Sequence, residues 1–248
     1  MNRKMKLNTS QAGFSLLELI IGMGITLIIV GIGATLMSNS FNVRSRENKR
    51  TEAVAAAQHA LNNISRDVAN AGFGLRKNGI VNEDSDASSI RIRANLNAFA
   101  GQTSTDSSGK LLGSGSLADA DEDVEYFLHK TDPDPNSTST KGELFRYDVN
   151  LNQSRLLLNN VDDFEIYYFD QRVNYTLDKN GGIIVTTLDI NGNPVGEVDD
   201  QTNTTYLVIT LLIKLDAVGT PGQAGYIPAS QVQLATDVAL RNRNLNLY

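Results

Sequence analysis

Residues 13–37 read GFSLLELIIGMGITLIIVGIGATLM. From Phe14 to Met37 this is roughly 24 residues with one ionisable side chain, long enough to cross a bilayer's hydrocarbon core as a helix. Ahead of it lies a short basic tail with Arg3, Lys4 and Lys6 and no acid. A secretory signal peptide would have a shorter apolar core, followed by a small-x-small cleavage site; no such site follows here before Met37. A plain anchor explains the length but not Glu18, because a carboxylate within the membrane costs about 2.5–3.5 kcal/mol on insertion scales.

Working outward, the run contains Gly22, Gly24, Gly31 and Gly33, and no proline occurs before Pro133. The glycines make the helix easier to bend and allow close helix approach; equally, glycine is simply common in membrane helices. Beyond the run, Val54, Ala57, Leu61, Ile64, Val68 and Ala71 recur at three- and four-residue steps, which marks one apolar helix face. Gly72 and Gly74 end that pattern. A helix from Phe14 to Ala71 would be about 87 Å long, its first half in lipid and its second half on a globular domain. Between the halves, Arg44, Arg46, Lys49 and Arg50, with Glu47 and Glu52 among them, form either a collar for anionic head groups or a solvated helix segment.

From Phe73 the period changes to two. Strands are expected at Ser89–Arg93, Val124–Lys130, Glu143–Tyr147, Arg155–Leu158, Phe164–Phe169, Ile183–Leu188, Tyr206–Leu215 and Val232–Arg241. Tyr206–Leu215 is the most apolar and is expected at the centre of the sheet. Turn signals stand at Asp178–Gly182 and Asn191–Pro194, and exposed loops are expected at Gly101–Ser116 and Asp132–Thr140. Phe164, Ile166 and Tyr168 should share one sheet face as core. Tyr167 and Phe169 fall on the other, where a contact with another subunit is the sharper alternative. The fold class is therefore α+β: one long N-terminal helix whose second half lies across an antiparallel sheet.

Composition limits the chemistry. The 248 residues have no cysteine, which removes thiolate catalysis and cysteine-ligated metal sites and leaves stability to the hydrophobic core. The formal net charge is −6 and unevenly spread: beyond Glu52 there are 15 basic and 25 acidic residues. That acidic body argues against a nucleic-acid-binding surface. His59 and His129 have no motif around them and read as surface residues, so no catalytic constellation stands out. Asp119-Ala120-Asp121-Glu122-Asp123 lacks the glycine and glutamate of an EF-hand, which leaves a solvated acidic loop or a calcium loop of another kind. Asp162, Asp163 and Glu165 are expected to shape a turn at a strand entrance. Gly72-Phe73-Gly74 is not followed by the Gly-Lys-Ser/Thr of a phosphate loop. No cofactor or metal is expected, and no enzymatic activity.

Gly13-Phe14-Ser15-Leu16-Leu17-Glu18 after a short basic leader resembles the processing site of type IV prepilins and pseudopilins. The resemblance implies cleavage after Gly13 by a prepilin peptidase, N-methylation of Phe14, and pairing of Glu18 with a neighbour's terminal amine during assembly. Further along, Arg66-Asp67 with Ala71-Gly72-Phe73, then Glu143–Tyr147, Leu156–Leu158 leading to Val161, and Val238–Arg243 are similar to minor pilins of PilW type. The type II secretion pseudopilin J is similar in layout. The resemblance divides the chain into a leader (1–13), a membrane or fibre-core helix (14–37), its amphipathic continuation (38–72) and a β-rich pilin domain (73–248). It implies an inner-membrane precursor with a periplasmic head, later displayed on a pilus. Implied partners are the peptidase, the major pilin, other minor pilins and membrane lipid. An adhesive or ligand-binding module that uses the helix merely as an anchor is the alternative of another class.

Overall fold

The computed structural model describes residues 14–75, 77–96, 117, 119–131, 141–223 and 225–242. Helix α1 runs unbroken over Leu16–Asn70, about 82 Å at the standard rise. The four glycines of the apolar run do not interrupt it. Within that run Thr26 and Thr35 donate their hydroxyls to the carbonyls of Gly22 and Ile32, at 2.7 and 2.8 Å, so these hydroxyls need no water.

Two compact units share the chain, one comprising Met1–Glu47 with Ala217–Pro228, the other Asn48–Asp216 with Ala229–Tyr248. In the first, the loop of residues 217–228 is closed by paired hydrogen bonds between Val218 and Ile227 at 2.9 Å. The Asn42 side chain donates to the Gly225 carbonyl at 3.2 Å, and Gly225 lies so close that a Cβ there would meet Asn39 Oδ1 at 2.6 Å. Arg44 is exposed on this part of the helix, whereas Arg46 is buried, so Arg46 is no member of a solvated collar.

The second unit holds a six-stranded antiparallel sheet in the order β1 (Ser89–Arg93), β2 (Asp123–Thr131), β3 (Lys141–Asp148), β4 (Gln153–Phe169), β7 (Tyr206–Leu215), β8 (Ser230–Ala239). Between β4 and β7 the chain makes an excursion that carries the short pair β5 (Tyr175–Leu177) and β6 (Ile183–Val185). The expected helix face lies on this sheet. Ala57, Leu61, Ile64, Val68 and Ala71 are buried in one core with Ile90, Tyr126, Phe164 and Ile166, and with Leu207, Ile209 and Leu211 of β7. Val54 is only half-buried, and Ala60 joins the face.

The helix stops where Gly72 takes φ +77°. The Gly72 N–H donates to the Arg93 carbonyl at 2.9 Å, and a Cβ on Gly72 would meet the Lys77 carbonyl at 2.6 Å. Gly79, at φ +80°, packs directly on Gly72, so neither position has room for a side chain. Asn242 completes the cap by donating to the carbonyls of Asn70 and Ala71, both at 3.3 Å.

Three expectations need correction. Arg155–Leu158 and Phe164–Phe169 are not two strands with a turn between them. They are the two ends of the 17-residue β4, which pairs first with β3 and then with β7. The polar residues between them form a bulge at Val161–Asp163 with Asn160 at φ +59°. Asp162 there accepts from Gln231 at 2.5 Å, and Asp163 lies 3.5 Å from Lys130. Second, β7 is not central: it is fifth of six, paired with β4 and β8. Its apolar run has another cause, burial of both faces. Leu207, Ile209, Leu211 and Ile213 face the helix, while Tyr206 and Val208 join Phe169, Val173 and Val195 in a second core. Third, Tyr167 and Phe169 do lie opposite Phe164, Ile166 and Tyr168, but that second core of the same chain covers them rather than another subunit. The expected strand Ile183–Leu188 is laddered only to Val185, and Leu188 bridges to Pro194. The loops expected at 101–116 and 132–140 lie outside the described residues.

A soluble form beginning at Asn48 keeps the buried helix face and should unfold cooperatively. One beginning at Phe73 loses Ala57, Ala60, Leu61, Ile64, Val68 and Ala71 from the core, each large residue worth about 2–5 kcal/mol against alanine, and should not fold. Circular dichroism with urea titration of both forms checks this. Cooperative unfolding of the shorter form would contradict the packing account.

Candidate functional site

Ser15 and Glu18 begin the helix as a reciprocal cap. Ser15 Oγ accepts from the Leu17 N–H at 3.3 Å, and Glu18 Oε2 accepts from the Ser15 N–H at 3.3 Å. The Ser-x-x-Glu spacing is a capping-box signal that the membrane and assembly readings of Glu18 overlooked. It gives Glu18 a local role at the helix start. Phe14 is 89 % exposed, and the large apolar side chains from Leu16 to Val43 are exposed as well. Gly13 lies outside the described residues. Among the described residues one helix, α1, is long and apolar enough to cross a membrane.

The second place where polar groups converge joins helix to sheet. Tyr126 donates its hydroxyl to Asp67 at 2.6 Å. The Arg146 guanidinium reaches Asp67 at 3.2 Å and Asp121 at 2.6 Å. Burial, then the neighbouring Asp67 carboxylate, pushes the Tyr126 hydroxyl well above its ordinary value, so it acts as a donor. Arg66, Asp67, Asn70, Ile92, Ala94, Leu96, Asp121 and Arg146 line a cavity of about 170 Å³ here. Through these contacts Asp67 ties α1 to Tyr126 of β2 and Arg146 of β3. Asp67 and Arg146 come from two separate motifs noted in the sequence, and their spatial pairing could not be read from either alone.

The acidic stretch is a solvated turn only at its start: Asp119, Ala120 and Asp121 are exposed, whereas Glu122 and Asp123 are buried. Asp121 meets Arg146, and Asp123 meets both Arg91 at 2.7 Å and Arg93 at 2.8 Å. Asp148 accepts from the Asp121 N–H at 2.8 Å. Among the described residues no group of three or more carboxylates or imidazoles is placed to hold a metal ion. His59 and His129 are both exposed, His59 lying 3.3 Å from the Asn63 amide and His129 edge-on to Phe145.

Residues 8–34, a span that includes Gly13, Phe14 and Glu18, match the family model described as the prokaryotic N-terminal methylation motif. No curated protein and no solved structure matches the chain. The motif, followed by one long apolar helix and an antiparallel sheet, supports a type IV pilin-like protein, a pilin or pseudopilin. It implies processing by a prepilin peptidase and assembly with other pilins, and the apolar helix is consistent with a membrane-anchored precursor.

Burial alone would raise the Asp123 carboxyl, but hydrogen bonds from Arg91 and Arg93 prevail and hold it below the ordinary 3.8. A carboxyl lowered in the folded state contributes stability that is present above pH 3.8 and lost as the pH falls through the lowered value. Asp123→Asn should therefore destabilise the protein at neutral pH by on the order of 2–3 kcal/mol and flatten its loss of stability below pH 3.8. Urea titrations across that range measure both. An unchanged acid limb in the variant would show that other carboxylates control it.

Proposed function

We propose that this protein is a minor pilin of PilW type that is cut after Gly13, methylated on Phe14 and built into a type IV pilus, where it helps to start assembly. The observation that carries this reading is the exposed apolar surface of α1 from Phe14 to Val43, with Glu18 as the one acid in its first turns. Lipid can cover that surface in the precursor and neighbouring helices can cover it in a fibre, so the exchange never exposes it to water. The leader is residues 1–13, the membrane or fibre-core helix 14–37, its continuation 38–72 and the head 73–248, facing the periplasm before assembly and displayed on the pilus after it. In the fibre, Glu18 exchanges its bond to the Ser15 N–H for the terminal amine of a neighbouring subunit. A charge pair in a low-dielectric bundle is strong, although desolvation opposes it.

Gly13→Leu should leave the leader attached, because the peptidase must admit a residue with no side chain at the cut; a normal mature N-terminus by mass spectrometry would contradict this. Glu18→Ala should insert and mature normally but enter fibres at a reduced level, which immunoblots of membrane and sheared-fibre fractions compare. Equal incorporation would make Glu18 incidental. Deleting the gene should abolish most surface fibres and leave the major pilin abundant in the membrane. Normal fibres that no longer attach would favour an adhesive module, and intact fibres with exported enzymes trapped in the periplasm would favour a pseudopilin.

A further inference from the structure

The excursion between β4 and β7, residues 170–205, has an outer surface that its own fold does not require. From Ile183 to Ile190 exposure alternates without a break. The inner row includes Ile183 and Val185, which pack on the second core. The outer row is Ile184 of β6, then Thr186, Leu188 and Ile190 of the irregular segment that follows it. Three of these four are large aliphatic residues, exposed by 55, 59 and 102 % for Ile184, Leu188 and Ile190. The end of the row is held in place, because Asp189 accepts from the N–H groups of Asn191 and Asn193 at 2.8 and 2.9 Å. Three exposed aliphatic side chains on one side of a braced segment offer apolar area to a contact.

Charge indicates what covers it. The excursion carries Asp170, Asp178, Asp189, Glu197, Asp199 and Asp200 against Arg172 and Lys179. A second copy docked through the same excursion would bring carboxylates against carboxylates, and an anionic lipid surface would be repelled in the same way. We propose that the row Ile184–Leu188–Ile190 docks a different protein subunit, one whose apolar face is rimmed by lysine or arginine. The proposal rests on the pilin reading only in expecting that subunit in the fibre.

The test places a photoreactive crosslinker at Ile190 of the full-length protein in fibre-producing cells and identifies the adduct by mass spectrometry. The expected result is an adduct to a different fibre subunit, at a face bearing Lys or Arg beside apolar residues. Its yield should fall about tenfold or more with Leu188→Asp, since burying one leucine is worth that much in affinity, and should fall in membranes isolated at high salt. Protease resistance should be unchanged by Leu188→Asp, because the outer row lies outside both cores. No protein adduct, an adduct to a second copy or to lipid, or a yield indifferent to Leu188→Asp or to salt would overturn the proposal. Processing is scored in the same cells. An intact leader would count against the pilin reading, whereas a matured protein with no adduct would sink the docking surface alone.

Discussion

The structure depends on burying one face of the second half of α1 under the sheet. Ala57, Ala60, Leu61, Ile64, Val68 and Ala71 mix small and branched residues along that face, which lets the sheet approach closely. Apolar burial is non-directional, so it does not by itself select one seating of the helix. The Asp67–Tyr126–Arg146 contacts are directional and supply the selection, and the Gly72–Gly79 contact with Asn242 ends the helix at one place.

The sheet meets a second constraint. A single helix can cover only one of its faces, yet β7 is apolar on both. The excursion from residue 170 to 205 resolves this by folding over Phe169, Tyr206 and Val208 with Val173 and Val195. That leaves a two-sided sheet built from one strand-to-strand connection, with an outer row of aliphatic side chains as its new surface.

Charge is handled locally despite the acidic body. The carboxylates of Asp121 and Asp123 are met by Arg146, Arg91 and Arg93, which come from strands on either side of the acidic stretch. Such pairs are worth most where side chains are shielded from water, as Asp123 is, and little where they are exposed.

Local pattern sufficed for the long helix, its buried face, its glycine stop and most strands, because helical and strand periods are properties of neighbouring residues. The N-terminal motif was legible for the same reason, and the Ser15–Glu18 capping pair, though overlooked, is written in the same local spacing. Tertiary structure alone decided that Asn160 to Asp163 is a bulge and not a turn, since a polar interruption looks the same in either until its pairing partners are known. It alone placed β7 fifth in the sheet, because burial of both faces can come from a central position or from an excursion over one face. It alone joined Asp67 to Arg146 and Asp123 to Arg91, because contacts between residues far apart in the chain depend on how the strands are ordered, and no local period records that order.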